Sequence, residues 1–336
     1  MTAWGFIGSG WVAGDFAEGL RHVPDAELVA VCSRHSARAF AERFAVARHY
    51  ADAGELVADG AVDVVYVATP NSLHRDHCLI ALEAGKPVVC EKPFALTAAE
   101  AGEVIDTARR RRLFCMEAMP MRFVPATLRA RELIDAGRIG DLRMVSASFG
   151  HEPAYDHGNR YFDPGLGGGA LFDVGVYAVS LAVMLLGGPR RVTSDAAIGP
   201  SGVDEQSAAV LAYDDGRLAV LEASLRTNLP NDAVISGTEG SIRLAPLYRP
   251  NRVTITRFGE SPDRGRLARA RRAAKRLRGN AADDAVPYPG NGFTCEAAEA
   301  MRCLDAELIE SPVMPHEESL KVMETLDAIR SGWTVA

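Results

Sequence analysis

Apolar and β-branched residues gather into short runs at 3–7, 28–32, 62–68, 87–91 and 113–117, separated by stretches with helical spacing. Runs this short predict buried strands, and their alternation with helices predicts a parallel sheet covered on both faces. Near 119–125 the pattern changes. A helix is predicted over 125–136, then a strand over 142–150. From 205 to 258 strand-like runs are punctuated by DDG at 214–216 and GTEG at 237–240, each predicting a hairpin and together an antiparallel sheet. Two amphipathic helices close the pattern, with Ala297, Met301, Leu304 and Leu308 on one face, then Val322, Leu326 and Ile329 on another. The chain reads as two domains, 1–120 and 121–336.

Composition narrows the class without naming it. With 336 residues, 48% of them hydrophobic, two cores of ordinary size are within reach. The formal charge of -7 gives no electrostatic reason to expect a nucleic acid. The start, MTAWGFIGSG, lacks the basic and apolar regions of a secretory signal, and no apolar run of about 18 residues is expected, which predicts a cytoplasmic protein with no membrane partner. Cys32, Cys90 and Cys115 fall in apolar runs and no CxxC spacing occurs, so reduced, buried thiols are expected. The segment 264–279 carries eight Lys or Arg residues and reads as a solvated surface stretch.

Candidate chemistry sits at the ends of the predicted strands. GSGWVA, 8–13, follows the first strand and opens the first helix, matching the dinucleotide fingerprint G-x-G-x-x-G/A. Gly8 permits the tight turn, Gly10 the approach of a pyrophosphate and Ala13 close packing; Ser9, Trp11 and Val12 share the loop. This makes the first domain a Rossmann domain and the fold class α/β, followed by an α+β domain. The second strand ends in Ser33 and Arg34, where an acid would select NAD; a hydroxyl and a guanidinium suit the extra phosphate of NADP, with NAD still usable if Arg34 only stacks on adenine. Thr69, Pro70, Asn71 and His74 follow the third of these strands on the same edge. His74 and His77 alone make a poor metal site, so no metal is expected. Lys92 ends the fourth strand beside Glu91, expected to balance its charge, and Pro93, expected to fix the chain's exit. Further on, GGGALFDVGVY at 167–177 places Asp173 and Tyr177 four apart, a candidate acid–base pair on one helix face.

Taken together, GSGWVA, ATPNSLH, AGKPVVCEKP and GGGALFDVGVY resemble the Gfo/Idh/MocA oxidoreductase family, and the variants around 117–125, 177 and 310–330 resemble its dimeric dihydrodiol dehydrogenase branch, which also resembles glucose-fructose oxidoreductase. The resemblance implies a large open sheet in the second domain that often forms a homodimer or homotetramer interface. It also implies that Lys92 acts with Tyr177, which stands where many relatives have histidine. Removal of hydride from a secondary alcohol needs a base for the hydroxyl proton, and the reverse reaction needs an acid. Lys92 is expected to lower the Tyr177 pKa for that work, and Asp173 to orient the lysine or a substrate hydroxyl. Arg122, Tyr155, His157, Arg160 and Phe162 are expected to line the substrate side for a small polyhydroxy compound. The expected activity is NADP-dependent hydride transfer to or from a sugar, cyclitol or trans-dihydrodiol. The alternatives are a 3-keto-sugar reductase, an enzyme with a tightly held cofactor, and a non-catalytic dinucleotide-binding regulator.

Overall fold

The protein is described from a computed structural model covering residues 1–156, 158–258 and 281–333, with the side chains of 281–283 left aside. The basic segment 264–279 and His157 lie outside these residues. The chain opens with β1 (Thr2–Ile7), α1 (Trp11–Leu20), β2 (Ala26–Cys32), α2 (Ala37–Phe44), β3 (Arg48–Tyr50), α3 (Ala53–Ala58), β4 (Val64–Val67), α4 (His74–Glu83), β5 (Val88–Glu91), α5 (Ala98–Arg111) and β6 (Cys115–Ala118). These strands form a parallel sheet in the order β3-β2-β1-β4-β5-β6. Four of its strands are the expected ones at slightly different bounds, and 62–68 narrows to β4. The short edge strand β3 was not expected: its three residues, Arg48, His49 and Tyr50, are too polar and too few to stand out as an apolar run. The strand order reverses between β1 and β4, which opens a crevice at the carboxyl edge.

Past the short α6 (Pro120–Phe123) and α7 (Pro125–Asp135), β7 (Leu142–Gly150) begins the second sheet. After α8 (Val176–Leu186) come β8 (Arg191–Ile198), β9 (Asp204–Ala212), β10 (Leu218–Ser224), β11 (Ala233–Gly237), β12 (Gly240–Leu244), β13 (Arg252–Arg257) and β14 (Ala281–Ala285), then α9 (Gly292–Asp305) and α10 (His316–Ser331). Among the described residues the order is β14-β13-β12-β11-β7-β10-β9-β8. Both expected hairpins are present, β9 to β10 and β11 to β12, and among the described strands of this sheet only β7 and β10 run parallel. β7 lies at the centre because β10 returns beside it after a long excursion. β8 escaped the sequence reading since its residues alternate exposed and half-buried, with Arg191, Thr193 and Asp195 on the open face.

Among the described residues helices cover one face of this sheet and the other stays open. On β9 the alternation is strict, Ala209 and Leu211 inward, Ala208 and Val210 outward, as a half-buried antiparallel strand requires. The helical stretch Pro164–Leu186 is long and apolar enough to cross a membrane by composition alone, contrary to the expectation of no such run. Its most apolar window is 83% buried inside the protein, as in the core helix of a globular fold. The closing helices pack back on the first domain, α9 against α1 and α10 against α5, and Ala297, Met301, Val322, Leu326 and Ile329 are all buried.

Candidate active site

A cavity of about 940 Å³ runs from the carboxyl edge of the parallel sheet to the second sheet. At its first end Gly8 holds φ +117°, and a Cβ there would meet the Ala68 carbonyl oxygen at 2.3 Å, so only glycine lets β1 turn between β2 and β4. Gly10 has the opposite reason: nothing stands within 4 Å of its missing Cβ, leaving room for a ligand against the backbone. No side chain caps α1, so its first-turn amides remain available to an anion. Ser9, Trp11, Val12, Ser33 and Arg34 line the same end, with Trp11 58% exposed. Ser36 joins the hydroxyls of Ser9 and Ser33 at 2.6 and 3.1 Å.

The β4 edge supplies the middle of the wall. Asn71 donates its amide to the Gly167 carbonyl at 2.8 Å, tying this loop to the glycine-rich loop of the second half. Thr69 shares a hydrogen bond with His77, and Pro70 lines the cavity between them. His74 is buried with one ring nitrogen 2.7 Å from the Pro93 carbonyl and the other 2.9 Å from that of Thr69. Two acceptors suit a doubly protonated ring, but burial outweighs them and draws the pKa down to about 4, so the neutral ring donates one bond.

Lys92 lies at the cavity floor, behind a cis Lys92–Pro93 peptide. Its ammonium donates to the backbone carbonyl of Asp173 at 2.7 Å, stands 3.7 Å from that residue's carboxylate, and sits 5.0 Å from the Tyr177 ring centroid. Burial lowers the Lys92 pKa, with Asp173 the main opposing charge. The charge of Glu91 favours the ammonium as expected, but without an ion pair to it among the described residues. Successive strand residues point to opposite sides, so Glu91 instead accepts the buried Tyr66 hydroxyl at 2.6 Å and the Lys92 backbone N–H at 3.2 Å. It still lines the cavity.

Asp173 lies in a single π-helical turn, Leu171–Gly175, that leads into α8 and carries Asp173 and Tyr177 on one wall. Arg160 donates to the Asp173 carboxylate at 2.9 Å, so one acid serves two cations. The expected lowering of the Tyr177 pKa is not found. Burial raises it well above its usual value, the charges of Glu91 and Asp173 add to that, and Arg249 opposes them. A phenol so placed keeps its proton at neutral pH and can donate it.

Three residues expected on the substrate side are elsewhere. Arg122 is fully buried: its guanidinium donates to the hydroxyl and carbonyl of Ser180 at 2.9 and 2.8 Å and pairs with Glu318, joining α6, α8 and α10. Phe162 fills a small core with Val174, Val203 and Leu225, and Tyr155 packs on it at 4.8 Å, away from the cavity wall. In their place stand residues that sequence reasoning missed. Phe149 stacks on Tyr248 and packs against Tyr177, each at 5.4 Å between centroids. His151 meets the Tyr161 ring edge-on at 5.4 Å, and Asn231, Arg249 and Phe293 complete the wall. Tyr248 and Arg249 sit in an aperiodic stretch between β12 and β13, and an aromatic beside a cation in such a loop is the only signal they gave.

Known proteins share both halves. Residues 2–119 match the model of an oxidoreductase family with an NAD-binding Rossmann fold, and 127–243 match the GFO/IDH/MocA C-terminal domain. The chain belongs to the Gfo/Idh/MocA oxidoreductase family. Trans-1,2-dihydrobenzene-1,2-diol dehydrogenase from Mus musculus is 34% identical over 335 residues, covering 98% of this chain and 96% of that protein. The Homo sapiens protein of the same name is 32% identical over 346 residues, covering 98% and 96%. Two solved structures, each 26% identical with a TM-score of 0.82, are an NAD-binding oxidoreductase from Klebsiella pneumoniae (98% of this chain and 96% of that one) and a 3-ketoreductase from Actinomadura kijaniata in complex with NADP and TDP-benzene (99% and 98%). The family member described here is thus an NAD(P)-dependent dehydrogenase or reductase acting on CH–OH carbon. The uncapped α1 end, the open space at Gly10 and the hydroxyl cluster fit a dinucleotide.

Proposed function

We propose that the protein is an NADP-preferring oxidoreductase for a secondary alcohol or carbonyl carbon of a sugar, cyclitol or trans-dihydrodiol, with Tyr177 as proton donor and acceptor. The observation that carries this reading is the seating of the Lys92 ammonium 5.0 Å from the Tyr177 ring centroid at the cavity floor. When bound, the nicotinamide supplies or accepts the hydride. In reduction the substrate carbonyl oxygen takes the proton from the Tyr177 hydroxyl, leaving a phenolate. Lys92, fixed by Asp173, faces the ring on which that negative charge develops and lowers its cost. In oxidation Tyr177 first loses its proton and the phenolate then takes that of the substrate hydroxyl; the raised pKa makes this phenolate costly in both directions, since reduction leaves it and oxidation starts from it. Arg160 and Asp173 hold one another and offer hydrogen-bonding groups to substrate hydroxyls.

Preference for NADP rests on the exposed guanidinium of Arg34 beside Ser33, with no carboxylate at the end of β2. A homodimer or homotetramer through the open sheet face is supported by Met144, Val210 and Leu218, exposed apolar residues on three adjoining strands. The six unpaired cysteines fit a reducing compartment, the cytoplasm, which fractionation of a tagged chain reads. The test is turnover with NADPH, NADP, NADH and NAD across aldoses, keto-sugars, inositols, trans-dihydrodiols and the phosphates and uronic acids of the sugars, with light scattering giving the assembled mass on the same sample. Turnover of at least one class with NADP(H) ahead of NAD(H) is expected; inactivity throughout, or a preference for NAD(H), removes the reading.

A further inference from the structure

The substrate end of the cavity is more cationic than a neutral polyol requires. Lys92, Arg160 and Arg249 line it, against Asp173 and Glu91. Asp173 is already shared by Lys92 and Arg160, and Glu91 is turned onto Tyr66. Arg249 has no carboxylate partner among the described residues. Its guanidinium carbon instead lies 5.0 Å from the Tyr248 ring centroid and 5.4 Å from that of Phe293.

Two rings hold this fork in place without neutralising it. A cation–π contact leaves the guanidinium N–H groups free to bond in the ring plane, where a planar fork grips a carboxylate or phosphate through two parallel bonds. The backbone beneath is also fixed: the Tyr288 hydroxyl donates to the Arg249 carbonyl, and a Cβ on Gly292 would meet the Arg249 side chain at 2.4 Å. Tyr248 ties the site to the reacting centre, since it stacks on Phe149, which packs on Tyr177. The chain as a whole carries -7, so this cationic end is a local feature and not a general basic surface.

We propose that Arg249 binds an anionic group of the substrate, a carboxylate or a phosphate, one substituent away from the carbon that reacts beside Tyr177. This rests on the functional reading above and narrows its substrate class to acidic or phosphorylated polyhydroxy compounds. The uncapped end of α1 lines the same cavity, which makes the cofactor pyrophosphate the rival anion for Arg249, and the test separates the two.

Calorimetric titration of the NADP-loaded protein with 6-phosphogluconate, gluconate and sorbitol needs no turnover. Both anions are expected to bind about tenfold or more tightly than sorbitol, and Arg249→Met to abolish that margin, while Arg249→Lys keeps part of it. Kinetics on matched pairs, an aldose against its 6-phosphate or its uronic acid, should show kcat/KM for the anionic member falling about tenfold to a hundredfold further than for the neutral one in Arg249→Met. Equal binding of sorbitol and the anions, equal losses on both members of a pair, or a loss seen in NADPH titration without substrate overturns the proposal. Anion binding without turnover of any compound leaves Arg249 its role and removes the functional reading instead. Turnover of neutral compounds with no anion preference does the reverse.

Discussion

The two walls of the cavity are built on different physics. The wall from the parallel sheet offers backbone amides, glycine-made space, the hydroxyls of Ser9, Ser33 and Ser36, and an exposed Arg34. The opposite wall offers buried charges and rings that hold one another, Lys92 from the end of β5 on Asp173 of the second half, Arg160 on the same carboxylate, and Phe149 between Tyr177 and Tyr248. Solvated groups recognise a ligand by shape and charge. Buried ones have their protonation displaced, as the phenol of Tyr177 and the amine of Lys92 do in opposite directions. One wall is thus solvated and the other buried, both halves of the chain contribute to the buried one through Lys92 and Asp173, and the Asn71 to Gly167 hydrogen bond joins the halves where they meet.

That division is sharpest at Tyr177. Tyr177→Phe removes one hydroxyl from the buried wall and should lower kcat by roughly 10²- to 10⁴-fold. NADPH affinity, read from protein fluorescence, should stay within about twofold of the unmodified enzyme, given the ~0.5 kcal/mol typical of changes away from a contact. A matching loss of NADPH binding would show that the walls are not separable. The converse change on the exposed wall is Arg34→Glu, expected to shift the ratio of kcat/KM for NADPH over NADH by about tenfold to a hundredfold, the size of a lost charge-assisted contact. Its effect on kcat at saturating cofactor should be small; an unchanged ratio would return Arg34 to a passive stacking role.

The smallest effect concerns what props up the buried wall. Asp204 accepts the Leu171 N–H at 2.7 Å, at the start of the helical stretch that carries Asp173 and Tyr177. Burial raises its pKa to about 7, and the Leu171 bond only partly opposes this. A carboxyl with a folded pKa above its unfolded one contributes stability that is complete below about pH 4 and is lost as pH rises through 7. Asp204→Asn keeps an acceptor without the titration. The melting temperature of the unmodified protein, taken relative to this variant, should therefore decline by a few degrees between pH 5 and 8. A difference independent of pH would mean that Asp204 is equally ionised in both states.

The parallel strands were legible because β-branched runs bounded by glycine and helical spacing are local signals, and GSGWVA marks its own strand-to-helix turn. Lys92, Asp173 and Tyr177 were legible because an ammonium at the end of an apolar strand, and an acid and a phenol beside a glycine run, are costly unless used. Arg122 misled for the same reason. Its charge looked available, yet all four residues of α6 are buried, and Ser180 and Glu318, 58 and 196 positions further on, supply the partners. Phe162 was read as a substrate contact because its loop is aromatic and polar, but closing the loop on β9 and β10 turned it into core.

The order of residues alone determined the elements and the dinucleotide turn, since each depends on neighbours within a few positions, whereas the pairing of Lys92 with Tyr177 was an expectation carried by the family resemblance. Tertiary structure decided which groups meet. Lys92 takes a partner 81 residues away over the acid next to it, because the strand's pleat sends Glu91 to the other side. Tyr248 and Arg249 reach the cavity only because the second sheet closes against the first domain, and burial there raises the phenol that local charge counting would have lowered. Pairing and desolvation are set by distances between segments far apart in the chain, and no local pattern encodes them.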